Sequence, residues 1–124
     1  MTVHWGDGTS QTSAASAVAG DSVCRAWVNF NGQGTVAIRD DKNITSITDN
    51  GTGYYNVNFT TNQNDSNYAT TIGADGRSVN TRHCSIDYLS YSTSTVRVTI
   101  EDTSQYGASR ADCILISVAI FGGN

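Results

Sequence analysis

The stretch Cys24-Arg25-Ala26-Trp27-Val28-Asn29-Phe30, followed by Asn31-Gly32-Gln33-Gly34 and then Thr35-Val36-Ala37-Ile38-Arg39, decides the fold class. Cys24, Ala26, Val28 and Phe30 fall on one side of an extended chain, and Arg25, Trp27 and Asn29 fall on the other. That period of two is the mark of a half-buried strand. The glycine-bearing segment has the chemistry of a hairpin turn, and Val36 and Ile38 share a face beyond it.

The same texture continues toward the C-terminus. Ile44 to Thr48 and Tyr54 to Thr60 flank Asp49-Asn50-Gly51-Thr52-Gly53, which predicts a second hairpin with Tyr55, Val57 and Phe59 on one side. Further strands are expected at Tyr68 to Ile72, Cys84 to Leu89 and Val96 to Glu101. In the last of these, Val96, Val98 and Ile100 point inward. Ile114 to Phe121 is apolar almost throughout and is therefore expected to be buried on both faces, inside the domain or against another subunit. About seven to nine short strands with regular turn signals predict an all-β antiparallel sandwich, jelly-roll-like in character. Only Ser13 to Ala19 has a composition suited to a helix. Residues 1–22 show neither a strand nor a helix period and are read as an irregular N-terminal arm, leaving 23–124 as the sandwich domain.

Composition agrees with this reading. The chain has 124 residues, enough for one domain with one modest core. Ser, Thr and Asn supply roughly a third of the residues, which suits strands with hydroxyl-rich outer faces better than helices. Proline is absent, so turns rest on Gly, Asn and Asp, with Asn31-Gly32, Asn50-Gly51 and Asp75-Gly76 as the clearest pairs.

Charge and hydropathy exclude several functions. The net charge is −4, with no cluster of Lys or Arg, so a nucleic-acid footprint is missing. Ile114 to Phe121 is far shorter than the roughly 20 apolar residues of a membrane-spanning helix. The N-terminal residues lack the basic and apolar regions of a secretory signal, so assembly in a cytoplasm is expected. The three cysteines, Cys24, Cys84 and Cys113, are odd in number and have no C-x-x-C spacing. They are expected to be free, small buried hydrophobes rather than a disulfide framework or a zinc site.

No catalytic constellation emerges. There is no G-x-S-x-G elbow, and His4 and His83 have no local orienting partner. His83 and Cys84 are neighbours on a strand and so face opposite ways. The acidic pairs Asp40-Asp41 and Glu101-Asp102 lie at strand ends, where solvated turn residues are usual. A calcium loop of the D-x-[DN]-x-[DN]-G type is absent. N-x-S/T sequons at Asn43, Asn50, Asn58 and Asn64 are by-products of an Asn/Thr-rich composition. The expectation is a non-enzymatic module without metal or cofactor.

One run carries a resemblance. Arg25-Ala26-Trp27-Val28-Asn29-Phe30-Asn31-Gly32-Gln33-Gly34-Thr35-Val36-Ala37-Ile38-Arg39 is followed by Ile47-Thr48-Asp49-Asn50-Gly51-Thr52-Gly53. Val57-Asn58-Phe59-Thr60-Thr61 and Asn67-Tyr68-Ala69 then complete the pattern. This order of uncommon tokens resembles a tail-fibre-type domain of tailed bacteriophages, including phages of marine bacteria and cyanobacteria. The resemblance implies a structural virion protein, a surface module for host attachment, assembled as a homotrimer with other virion proteins. A capsid decoration (cement) protein or head fibre, gripping the shell through the N-terminal arm, is the alternative.

Burial arguments point to self-association as well. An apolar final strand in so small a chain suggests a partner, and cyclic symmetry is the usual way to supply one. Ile114, Ile116, Val118 and Ile120 are the candidate oligomer interface, and the arm is either a flexible leader or docks on a neighbour through Trp5. Trp27, Tyr54 and Tyr91, among Asn and Thr, either pack between subunits or in the inner core or are candidates for stacking on a host surface glycan. The loop Asn62 to Asn67 is the candidate for recognition. Circular dichroism is expected to show a strand spectrum; helix above about a fifth would contradict the reading.

Overall fold

The computed structural model describes residues 3–4, 10–11, 23–75, 81–104 and 107–122. Strands β1 (Val3–His4) and β2 (Ser10–Gln11) pair with each other. The domain is built from β3 (Cys24–Asn31), β4 (Ala37–Lys42), β5 (Ile44–Gly51), β6 (Tyr54–Phe59), β7 (Tyr68–Ala74), β8 (Thr81–Tyr91), β9 (Thr95–Ser104), β10 (Gly107–Arg110) and β11 (Ile116–Gly122). It is an antiparallel β-sandwich with no helix among the described residues. One sheet runs β4-β3-β11-β7 and the other β5-β6-β9-β8, with β10 continuing the line of β6 along β9.

Alternation places the core. Ala26, Val28 and Phe30 of β3 lie beside Ile120, Val118 and Ile116 of β11, and all six are buried. Tyr55 and Val57 of β6 lie beside Val98 and Val96 of β9 and are equally buried. These two inner faces meet as one cluster, and two aromatic pairs bridge between the sheets. Phe30 meets Tyr55 edge-on at 5.3 Å between ring centroids, and Phe59 meets Tyr68 at 5.7 Å. Such T-shaped pairs set a positive ring edge against a negative face.

The crossing from the first sheet to the second is made by one residue. Asn43, between β4 and β5, has φ 59°, a left-handed conformation that Asn tolerates better than other side-chain-bearing residues. Its side chain donates to the Thr61 carbonyl at 2.9 Å and accepts from the Thr61 amide at 2.7 Å. The corner is thereby tied to the chain leaving β6.

At one end of the sandwich the segment before β11 is clamped from both sheets. Tyr55 donates its hydroxyl to the Asp112 carboxylate at 2.6 Å, and the Gly32 carbonyl lies 2.9 Å from the same oxygen. The Gly53 amide donates to Asp112 at 2.8 Å, and the Gly32 amide to the Cys113 carbonyl at 2.8 Å. Glycine is required at both positions. A Cβ on Gly53 would sit 2.4 Å from the Ile100 carbonyl oxygen, and one on Gly32 would sit 2.6 Å from the Tyr55 hydroxyl.

Within this chain the final strand is buried on one face only: Ile116, Val118 and Ile120 point inward, while Ser117 and Phe121 are exposed and Ala119 is half-buried. Its apolar run came from Ala119 and Phe121, whose hydrophobicity does not reflect burial. The strand Gly107–Arg110 was not foreseen, because Gly-Ala-Ser-Arg has neither alternation nor β-branched residues. Cys24, Cys84 and Cys113 are free thiols, and Arg82 donates to the Cys113 sulfur at 3.2 Å.

Gly34 and Gly53 both have φ 61°, but only Gly53 is crowded. Gly34→Ala should cost only the left-handed conformation, about 1–2 kcal/mol. Gly53→Ala adds a clash with backbone and should cost at least about 2 kcal/mol more. Urea unfolding of the two variants measures the difference, and equal costs would contradict the clamp.

Candidate binding site

The site begins with an irregularity in β8. Pairing with β9 proceeds regularly through Ile86↔Val98 and Asp87↔Arg97, then resumes at Tyr91↔Val96. Tyr88, Leu89 and Ser90 therefore have no partner on β9 and stand out as a bulge. Tyr88 is 86% exposed and Leu89 91%, values that mark side chains aimed into solvent. Bulges of this kind re-aim side chains and disrupt an edge ladder.

Asp87 holds the bulge in shape. One of its carboxylate oxygens accepts the Leu89 amide at 3.0 Å, the bond of an Asx turn. The other accepts the Tyr54 hydroxyl at 3.0 Å and faces Arg97 at 3.4 Å. Arg97 also donates to Asn56 at 2.8 Å and to the Tyr54 hydroxyl at 2.8 Å. Tyr54 carries the Arg97 and Arg110 guanidinium groups at 4.8 Å and 4.2 Å from its ring centre. The Leu89 amide and the Tyr54 hydroxyl, with Arg97 behind them, hold the Asp87 carboxyl below the usual carboxylate range.

Beside the bulge lies a cleft of about 330 Å³ lined by Ser66, Tyr68, Ile86, Tyr88 and Tyr91. Its floor is a stacked pair, Tyr68 on Tyr91, with ring centres 4.3 Å apart and planes inclined by 22°. The Tyr68 hydroxyl donates to the Ser92 carbonyl at 2.7 Å, and the Tyr91 hydroxyl donates to the Tyr68 carbonyl. Burial pushes both phenols above their ordinary value, so they stay neutral donors at physiological pH. The loop carrying Ser66 is also fixed: the Gln63 amide donates to the Thr93 carbonyl at 2.8 Å, and Asp65 accepts the Asn67 amide at 2.8 Å.

Of the residues singled out in the sequence, Tyr91 and the Asn62 to Asn67 loop come together here. Tyr54 does not line the cleft but supports it through Asp87. Trp27 lies on the outer face of the other sheet, in a depression of about 380 Å³ shared with Asn29, Thr71, Gly73, Ser117 and Ala119. Ile116, Val118 and Ile120 lie in the chain's own core and Ile114 is half-buried, so their burial requires no second copy. Trp5 and the His4 side chain lie outside the described residues. Asp40 and Asp41 accept the Asp41 and Ile44 amides at 2.9 Å and 3.1 Å, as turn residues do. His83 is exposed and Asp102 pairs with Arg82 at 3.0 Å. Among the described residues no three potential metal ligands cluster. Sequence reasoning missed Tyr88, because only the register of β8 against β9 reveals the change of phase. Cys84 and Ile86 occupy even positions and Tyr91 an odd one, so an odd number of residues must be looped out between them. No family model, curated protein or solved structure matches the chain.

Because the folded Asp87 carboxyl titrates below its unfolded value of about 3.9, its support of the bulge is complete above that pH. It is lost as pH falls through the lowered value. The Leu89 amide resonance should titrate with a midpoint below about 3.9, and Asp87→Asn should abolish the titration. NMR over acidic pH checks this; a midpoint at or above the ordinary value would contradict the clamp.

Proposed function

We propose that this chain is a structural surface module of a tailed-phage virion, non-enzymatic, that takes part in host attachment. Two independent lines support the reading. The tail-fibre-type sequence pattern falls between Arg25 and Ala69, the span of β3 to β6 and the start of β7. The observation that carries attachment in particular is the braced bulge, which sets a solvent-exposed tyrosine over an aromatic cleft beside a fixed polar loop. Binding residues carried on irregular segments of a rigid scaffold are the usual plan for recognition.

In this reading the assembled form is a homotrimer. The apolar side chains a neighbouring copy would meet include Leu115 and Phe121, 44% and 37% exposed, rather than the inward isoleucines of the same strand.

Capsid decoration remains the competing role, since an arm in residues 1–22 would supply the grip on a shell. Gold-labelled antibody against the chain, applied to the particles that carry it, separates the two. Labelling at the tail extremity is the expected result. Labelling over the capsid lattice would favour decoration, and absence of the chain from purified particles would overturn a virion role.

A further inference from the structure

We propose that the cleft between the β7 and β8 edges, with Tyr88 at its lip, binds a short neutral saccharide, an inference that rests on the attachment reading for its biological role. The chemistry of the lining argues for this ligand. Four of its five side chains carry a hydroxyl and the fifth is Ile86; none is charged. Aromatic rings offer an apolar face to the C–H side of a sugar ring, while hydroxyls serve its O–H groups.

The division of labour inside the cleft fits as well. The Tyr68 and Tyr91 hydroxyls are already bonded to backbone carbonyls, so these rings are fixed as walls. The hydroxyls of Ser66 and Tyr88 have no hydrogen-bond partner among the described residues and are available to a ligand. The nearest carboxylate, Asp87, is taken up by Leu89, Tyr54 and Arg97. Walls held in place before binding lower the ordering cost of association.

Other occupants fit less well. An anion would meet a chain of net charge −4 and no cation in the lining. A quaternary ammonium is held by a cage of several ring faces, whereas a sugar needs only one free face, which the exposed Tyr88 supplies. A second protein copy needs roughly 800 Å² per partner. Such a contact engages roughly 20–30 residues a side, whereas Ser66, Tyr68, Ile86, Tyr88 and Tyr91 alone line the cleft.

The test uses saturation-transfer NMR with maltose, cellobiose, lactose and diacetylchitobiose, and with choline as a charged comparison. Wild type should transfer saturation to at least one of the sugars and not to choline. Tyr88→Ala, at an exposed position that leaves the core intact, should weaken that sugar about tenfold, Tyr88→Phe should retain most of the binding, and Trp27→Ala should leave it unchanged. Equal binding by wild type and Tyr88→Ala would overturn the site. So would binding of choline alone, or no sugar bound by wild type up to roughly 10 mM. The outcome is separable from the virion question. Capsid labelling with Tyr88-dependent sugar binding removes attachment and keeps the site, whereas tail labelling with Tyr88-independent binding does the reverse.

Discussion

The hydroxyl of Tyr55 is the contact on which the arrangement of the two sheets depends. It stands at the end of an inward-facing strand position with no solvent exposure, and its one proton goes to Asp112 at 2.6 Å. Burial, then the Asp112 hydrogen bond and charge, push its pKa far upward, so it remains a donor at any physiological pH. Asp112 precedes β11 by a few residues, and β11 is the strand flanked by both β3 and β7. Fixing Asp112 therefore fixes where the central strand of one sheet begins, using a side chain that belongs to the other. A buried polar group left without its partner costs about 1–3 kcal/mol, so alternative placements of the segment are disfavoured.

The glycines at Gly32 and Gly53 make that contact sterically feasible. Each removes a Cβ where another part of the chain passes, the Tyr55 hydroxyl and the Cys113 carbonyl at Gly32 and the Ile100 and Ala111 backbone at Gly53, and the Gly53 carbonyl then accepts the Ile100 amide at 2.8 Å. In the sequence these glycines look like ordinary hairpin punctuation, and both do lie in turns. Their second task, admitting Asp112 and Tyr55, is a long-range relation that turn chemistry does not encode.

What the sequence made legible follows the same division. Alternation identified β3, β6 and β9 with their inward residues correctly, because each has one buried face and one polar face and so displays its register openly. It left the register of β11 unreadable, because Ala119 and Phe121 make the outward face apolar too. It could not see β10, which pairs with the end of β9 through backbone bonds while its side chains carry no pattern. At the candidate site the loop Asn62 to Asn67 and Tyr91 were visible by composition. Tyr88 was hidden because a bulge is defined by the partner strand, and Tyr88-Leu89 alone reads as a continuing strand.

The bulge also resolves a structural difficulty that the strand order creates. β8 is an edge strand of 11 residues, and a long regular edge offers unpaired backbone groups to other chains. Looping out Tyr88, Leu89 and Ser90 breaks that ladder partway along, and Asp87 takes up the Leu89 amide that the interruption releases. The same interruption turns Tyr88 outward and shifts Tyr91 onto the inner side, where it stacks on Tyr68 of the opposite sheet. Protection of the edge and construction of the cleft are therefore one event. A change that straightened β8 would remove the cleft wall and expose a pairing edge together, which couples the surface feature to the integrity of the sandwich beneath it.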